Sequence, residues 1–149
     1  YDEAVGDVFA GLDEVEAILA QQTFLMGDTV TEADVFLLPT AVRFDAIYHP
    51  FFKAGRTTLS ASYPNIMRWM KDMVRIPGVR ATFDLDDAKR SYYDQLFPLN
   101  PSGIVPATPE APYHELLDST QEDPNFAAIS FVTQGKKMHN KNSQVPRNK

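Results

Sequence analysis

Two charges stand inside the most apolar stretch of this chain, Arg43 and Asp45 in "VRFDAIY" at residues 42–48. Side chains two positions apart on a helix do not face each other, so the pair cannot satisfy itself. Each needs another partner, because an unpaired buried charge is costly. A structural ion pair is the favoured role for both, and lining a cleft is the other. Tyr48 closes the same stretch, and its hydroxyl needs a hydrogen-bond partner if the ring is buried. Missing residue types narrow the chemistry further. The sequence has no cysteine, which removes disulfides, thiolate metal sites and any thiol nucleophile within these 149 residues. The three histidines, His49, His114 and His139, lie far apart with no carboxylate at ligand spacing, so no metal site is expected. A glycine-rich phosphate loop is also missing.

The elements that must position these residues read as helices. Val5, Val8, Leu12, Val15 and Leu19 alternate by three and four and share one stripe, while Asp7, Asp13, Glu14 and Glu16 lie largely off it. No cap precedes this helix at Tyr1, which suggests a chain cut from something longer. In "DTVTEADVFLLP", residues 28–39, Thr31 fits an N-cap and Asp34 the third helical position, the two arms of a capping box. Val30 and Val35 then fall where a hydrophobic staple packs. The helix they open runs to Tyr48, is apolar nearly all round and is expected in the middle of a bundle, bent at Pro39. After a basic linker, "FFKAGRTTLSAS", a third helix starts near Pro64, buries Ile66, Trp69, Met70 and Met73, and stops at Pro77-Gly78. A fourth is expected from about Asp84 to Leu96, with Leu85, Ala88, Tyr92 and Leu96 along its packed side. The fold class is therefore all-α. From Pro98 onward prolines rule out a continuing helix, and an extended wrap gives way to disorder. Only "AAISFV", residues 127–132, resembles a strand.

Bulk composition agrees with one soluble, cytoplasmic domain: 44% of residues are apolar and 23% charged. Neither a membrane span nor a secretory signal is visible. The net charge of −6 hides an uneven split, since the last fourteen residues carry five Lys/Arg and no acid, which leaves −11 on residues 1–135. An acidic body disfavours nucleic acid, and the basic end reads as a solvated tail, so neither nucleic-acid nor membrane partners are expected.

The order of a Thr-x-x-Asp helix, then "YPN" (63–65), "PGV" (77–79), "KRSYY" (89–93) and "NPSGIVP" (100–106) resembles the C-terminal helical domain of glutathione transferases. With "VRFDAIY" it is similar to the Xi class, the Omega-like glutathionyl-hydroquinone reductases. The resemblance covers residues 1–106 as a helical bundle and leaves 107–149 as an extended or disordered tail. It implies a parent enzyme whose thioredoxin-like N-terminal domain binds the co-substrate glutathione and carries the catalytic cysteine. The helical domain then supplies the pocket for a quinol-type small molecule and a surface for homodimerisation, and this chain alone is inert. Within the family pattern, Tyr92 and Tyr93 match a tyrosine pair placed near the reacting sulfur. Helical spacing sets Tyr92 on the packed side, so Tyr93 is the expected site residue and Tyr92 its support. Tyr48 and Arg43 complete the expected substrate-binding set, and Thr31, Asp34 and Asp45 the structural one. "FFKAGRTT" departs from the family's stretch, with Phe51 and Ala54 replacing a histidine and a cysteine. The alternative is a non-catalytic assembly module, or a structural subunit of a larger complex.

Overall fold

The computed structural model describes residues 1–96, 98–106 and 120–126. In chain order the elements are α1 (Asp2–Leu19), α2 (Glu32–Arg43), a π-helical turn (Phe44–Tyr48), α3 (His49–Phe51), α4 (Leu59–Ser62), α5 (Pro64–Val74), a 3-10 turn (Arg80–Thr82) and α6 (Leu85–Gln95). Among the described residues there is no strand, only an isolated bridge between Phe24 and Gly27. The four long helices lie where their periodicity puts them. Two further short helices, α3 leading into the basic linker and α4 at its end, were not revealed by spacing alone.

α5 is the central post. α1 and α2 both pack against it, and Ile66, Trp69, Met70, Met73 and Val74 are buried there. Its start explains the Tyr-Pro-Asn motif. Tyr63 donates its hydroxyl to Asp13 at 2.9 Å, and Pro64 occupies the first helical position, where no amide hydrogen is needed. Glu16 accepts from the amides of Asn65 and Ile66, each at 2.9 Å, and from the Asn65 side chain at 2.8 Å. Glu16 thus caps α5 from a neighbouring helix and Asp13 anchors the residue before it, both set off the apolar stripe by their spacing. Arg68 returns the favour at the C-terminal end of α1, donating to the carbonyls of Leu19 at 2.9 Å and Gln22 at 3.1 Å.

Val5, Leu12, Val15 and Leu19 of the expected α1 stripe pack on the core. Phe9 is buried beside Leu19, whereas Val8 is 45% exposed. At the start of α2 the capping box forms. Asp34 accepts from the Thr31 amide at 2.8 Å and from the Thr31 hydroxyl at 2.9 Å. Its other oxygen accepts from the Leu25 amide and from the Trp69 indole, both at 2.9 Å. One fully buried carboxylate therefore joins a turn, a helix start and the central post. The expected staple is not made: Val30 is buried but Val35 is 56% exposed and Phe36 76% exposed. Only the side of α2 that meets α5 is covered, so an apolar sequence all round does not become burial all round.

Pro39 stands inside α2, and one turn later the chain widens into the π-helical turn. Asp45, inside that turn, accepts from the amides of Leu59 at 2.7 Å and Ser60 at 3.0 Å. Its expected ion pair is replaced by this cap on α4, which satisfies the charge with helix-start amides. Residues 120–126 return to the bundle without helix or strand. Asp123 donates its amide to the Arg75 carbonyl at 2.8 Å and pairs with the Arg75 guanidinium at 3.2 Å. Phe126 lies under that guanidinium, 4.1 Å from its ring centroid, and against Phe24. Residues 127–132 and the basic end fall outside the described residues.

Candidate functional site

The π-helical turn, α3 and the last two turns of α6 bring five rings together. Tyr48 lies 5.4 Å from Tyr92 and 5.7 Å from Phe52, centroid to centroid. Phe51 touches Tyr93 at 4.9 Å and Tyr92 at 5.7 Å, in edge-to-face geometry. The π-helical turn adds a residue to each ring of the helix ladder and so re-aims Tyr48, a device that recurs at functional sites. Its hydroxyl meets that of Tyr92 at 3.1 Å.

Beside this cluster a cleft of about 400 Å³ opens between the first half of α1 and the α2–α3 run. Val5, Val8, Phe44, Tyr48, Phe52 and Ala54 line it, with Tyr1, Ala4 and Thr40. Tyr1 donates its hydroxyl to the Lys53 carbonyl and so ties the start of α1 to the loop after α3. Tyr48 and Phe52 belong both to the cleft and to the aromatic cluster, and Tyr92 stands directly behind them. An apolar slot with a few hydroxyls at its rim accepts a flat aromatic molecule that carries polar substituents.

Burial, followed by the bond and charge interaction with Tyr92, pushes the Tyr48 phenol up to about 12 from its ordinary 10.0, while the Arg43 guanidinium opposes the shift. The phenol is therefore protonated at neutral pH and available as a donor. Arg43 also donates to the Pro39 carbonyl at 3.1 Å.

The two tyrosines of α6 are placed opposite to the expectation. Tyr93 is the buried member, 6% exposed and packed on Phe51, and burial raises its phenol. Tyr92 is half-buried with its hydroxyl in the Tyr48 pair. The packed face of α6 runs through Lys89 and Tyr93, because α6 lies against the π-helical turn and meets it on that side. Asn100 fixes the end of this helix by donating to the carbonyls of Tyr93 at 2.9 Å and Ile104 at 3.1 Å. Thr31, Asp34 and Asp45 all lie in caps away from the cleft lining. Phe51 was noted in the sequence only as a departure from the family's histidine and Phe52 not as a site residue, and their adjacency next to Tyr48 was the available signal. Among the described residues no group of histidines and carboxylates could hold a metal. Nor is any helix in them long and apolar enough to cross a membrane.

Residues 1–72 match the family model for the glutathione S-transferase C-terminal domain. Glutathionyl-hydroquinone reductase PcpF of Sphingobium chlorophenolicum is 43% identical over 112 residues, 75% of this chain and 36% of that protein. Glutathionyl-hydroquinone reductase YqjG of Escherichia coli is 38% identical over 109 residues, 73% of this chain and 33% of the relative. The chain thus spans about a third of the length of these relatives. The glutathione-bound structure of YqjG superimposes with a TM-score of 0.72 at 36% identity, over 77% of this chain and 37% of that one. The Xi glutathione S-transferase of Phanerochaete chrysosporium gives 0.71 at 37% identity, over 74% of this chain and 35% of that one. By fold, family match and sequence identity, the chain belongs to the glutathione transferase family as a C-terminal helical domain of the Xi, Omega-like kind.

Proposed function

We propose that this chain is the substrate-binding helical half of a glutathione-dependent enzyme that reduces glutathionyl-hydroquinones to hydroquinones. The observation that carries the reading is an apolar cleft of ring-accepting size whose wall includes Tyr48, with the Tyr48 hydroxyl bonded at 3.1 Å to Tyr92 behind that wall. The names of the relatives supply the substrate class. A thioredoxin-like domain in the parent holds glutathione and provides the nucleophile, since none of these 149 residues is a cysteine.

In this chemistry a cysteine thiolate attacks the sulfur that joins glutathione to the ring. The carbon–sulfur bond breaks, its electron pair stays with the ring, and a proton taken up there gives the free hydroquinone. The enzyme is left as a mixed disulfide with glutathione. A second glutathione thiolate attacks that disulfide, releasing glutathione disulfide and restoring the cysteine. Negative charge develops on the ring and its oxygens as the bond breaks, and the protonated Tyr48 phenol in the cleft wall stabilises it by donation. The apolar walls keep water from competing for that donor.

Tyr48→Phe in the full-length parent tests this. It removes one hydroxyl and keeps the ring contacts, so kcat/KM for a glutathionyl-hydroquinone is expected to fall at least about tenfold with the melting temperature nearly unchanged. Unchanged kinetics contradict the reading.

A further inference from the structure

Polar side chains are scarce in the cleft lining: Tyr1, Thr40 and Tyr48 each bring a hydroxyl, and the rest are apolar. Two of the three are already engaged. Tyr1 gives its hydrogen to the Lys53 carbonyl, and the Tyr48 hydroxyl is paired with that of Tyr92 at 3.1 Å. A threonine inside a helix can turn its hydroxyl back onto a carbonyl three or four residues earlier. Thr40 does not do so. Among the described residues its side chain makes no hydrogen bond, and it stands exposed in the cleft lining. Both its donor and its acceptor are therefore open to a molecule in the cleft.

Helical spacing sets this hydroxyl opposite the phenol of Tyr48. Thr40, Phe44 and Tyr48 follow at four-residue intervals through α2 and the π-helical turn, and all three line the cleft. Residues four apart share a helix face. Phe44 is buried and held edge-to-face on Phe9, so it makes a fixed apolar floor with a hydroxyl to either side. Eight residues at an α-helical rise separate Thr40 from Tyr48 by roughly 12 Å along the axis. Side chains lean toward the helix N-terminus, so the long Tyr48 ring reaches back across about half of that interval. The space left between the two hydroxyls suits one ring with an oxygen at each end. We propose that Thr40 is a specificity-determining residue: the substrate ring lies over Phe44, one oxygen takes the Tyr48 hydrogen, and the oxygen across the ring bonds to the Thr40 hydroxyl. The site thereby selects rings carrying two oxygens in 1,4 relation. This deepens the functional reading given above and rests on it. A ring with one oxygen leaves Thr40 to water at small cost, because Thr40 is exposed, so the discrimination is the size of one ordinary hydrogen bond.

The test is a chemical-shift titration of the full-length parent, without oxygen, using hydroquinone and 4-methylphenol, in which a methyl group replaces one hydroxyl. Thr40→Val keeps the branched shape and removes the hydroxyl. It is expected to weaken hydroquinone binding about three- to tenfold and to leave 4-methylphenol within about twofold. Thr40→Ser, which restores the hydroxyl, is expected to recover most of the loss. With a glutathionyl-hydroquinone as substrate, Thr40→Val should raise KM by the same factor at nearly constant kcat, because this bond is made equally in the ground state and the transition state. Unchanged hydroquinone binding in Thr40→Val, an equal loss for both ligands, or no recovery by serine each overturns the inference. A wild-type parent that leaves the substrate intact, or unchanged kinetics in Tyr48→Phe, refutes the functional reading instead. The titration needs no turnover and decides the role of Thr40 in either case.

Discussion

Asp34 concentrates four donors on one carboxylate: two from Thr31, one from Leu25 and the indole of Trp69. Removing an acceptor of that kind leaves buried donors without partners, each costing about 1–3 kcal/mol. Asp34→Ala is therefore expected to destabilise the domain by at least about 3 kcal/mol, and Thr31→Ala by about 1 kcal/mol. Their sum should exceed the loss in the double mutant, since both side chains serve one network. Denaturant melts of the three variants read this directly, and strictly additive losses contradict it. Thr31 and Asp34 were legible as a box because the Thr-x-x-Asp spacing before an apolar run has a local geometric cause. The two further donors to Asp34 were not, because they arrive from Leu25 and from Trp69, 35 residues away. The exchange between Tyr92 and Tyr93 has a related origin. Periodicity within α6 gives a face some 100° wide, and only the direction from which the π-helical turn approaches decides which neighbour of the pair is covered.

Two helix starts in this domain take caps from side chains of other elements. Glu16 of α1 caps α5, and Asp45 of the π-helical turn caps α4. Each long-range cap fixes the relative placement of two helices as well as satisfying amides. Glu16→Ala should thus cost about 1–2 kcal/mol and disturb the α1–α5 contact, with Glu16→Gln intermediate because one acceptor oxygen remains. Thermal melts check the order, and a neutral Glu16→Ala contradicts the assignment. Apolar spacing placed the four long helices because each buries one continuous stripe. It did not reveal α3, α4 or the π-helical turn. Those are too short for a period to show, and their ends are held by contacts with Tyr48, Asp45 and Thr58.

At the scale of the whole molecule, the buried Tyr63 and the half-buried Tyr48 phenols set the alkaline limit. Burial and the Asp13 partner push Tyr63 up to about 12, and burial with the Tyr92 partner pushes Tyr48 to about 12. Both folded-state values lie above the ordinary 10.0. Their contribution to stability is accordingly complete below pH 10 and is lost as pH rises from 10 through 12. Melting temperature followed against pH should be insensitive to these groups up to about 10 and fall above it, and Tyr63→Phe should flatten part of that fall. The tail segment carrying Asp123 and Phe126 closes over the other end of the bundle, where its contacts to Arg75 and Phe24 lie. The cleft and the phenol pair lie between α1, α2 and α6, and they are offered as the quinol-binding wall of a larger enzyme. Its central test is turnover of a glutathionyl-hydroquinone by the full-length parent, with product analysis, beside the isolated 149-residue chain. The account predicts release of free hydroquinone and one equivalent of glutathione disulfide by the parent, and none by the isolated chain. A parent that folds, binds glutathione and leaves the substrate intact contradicts it.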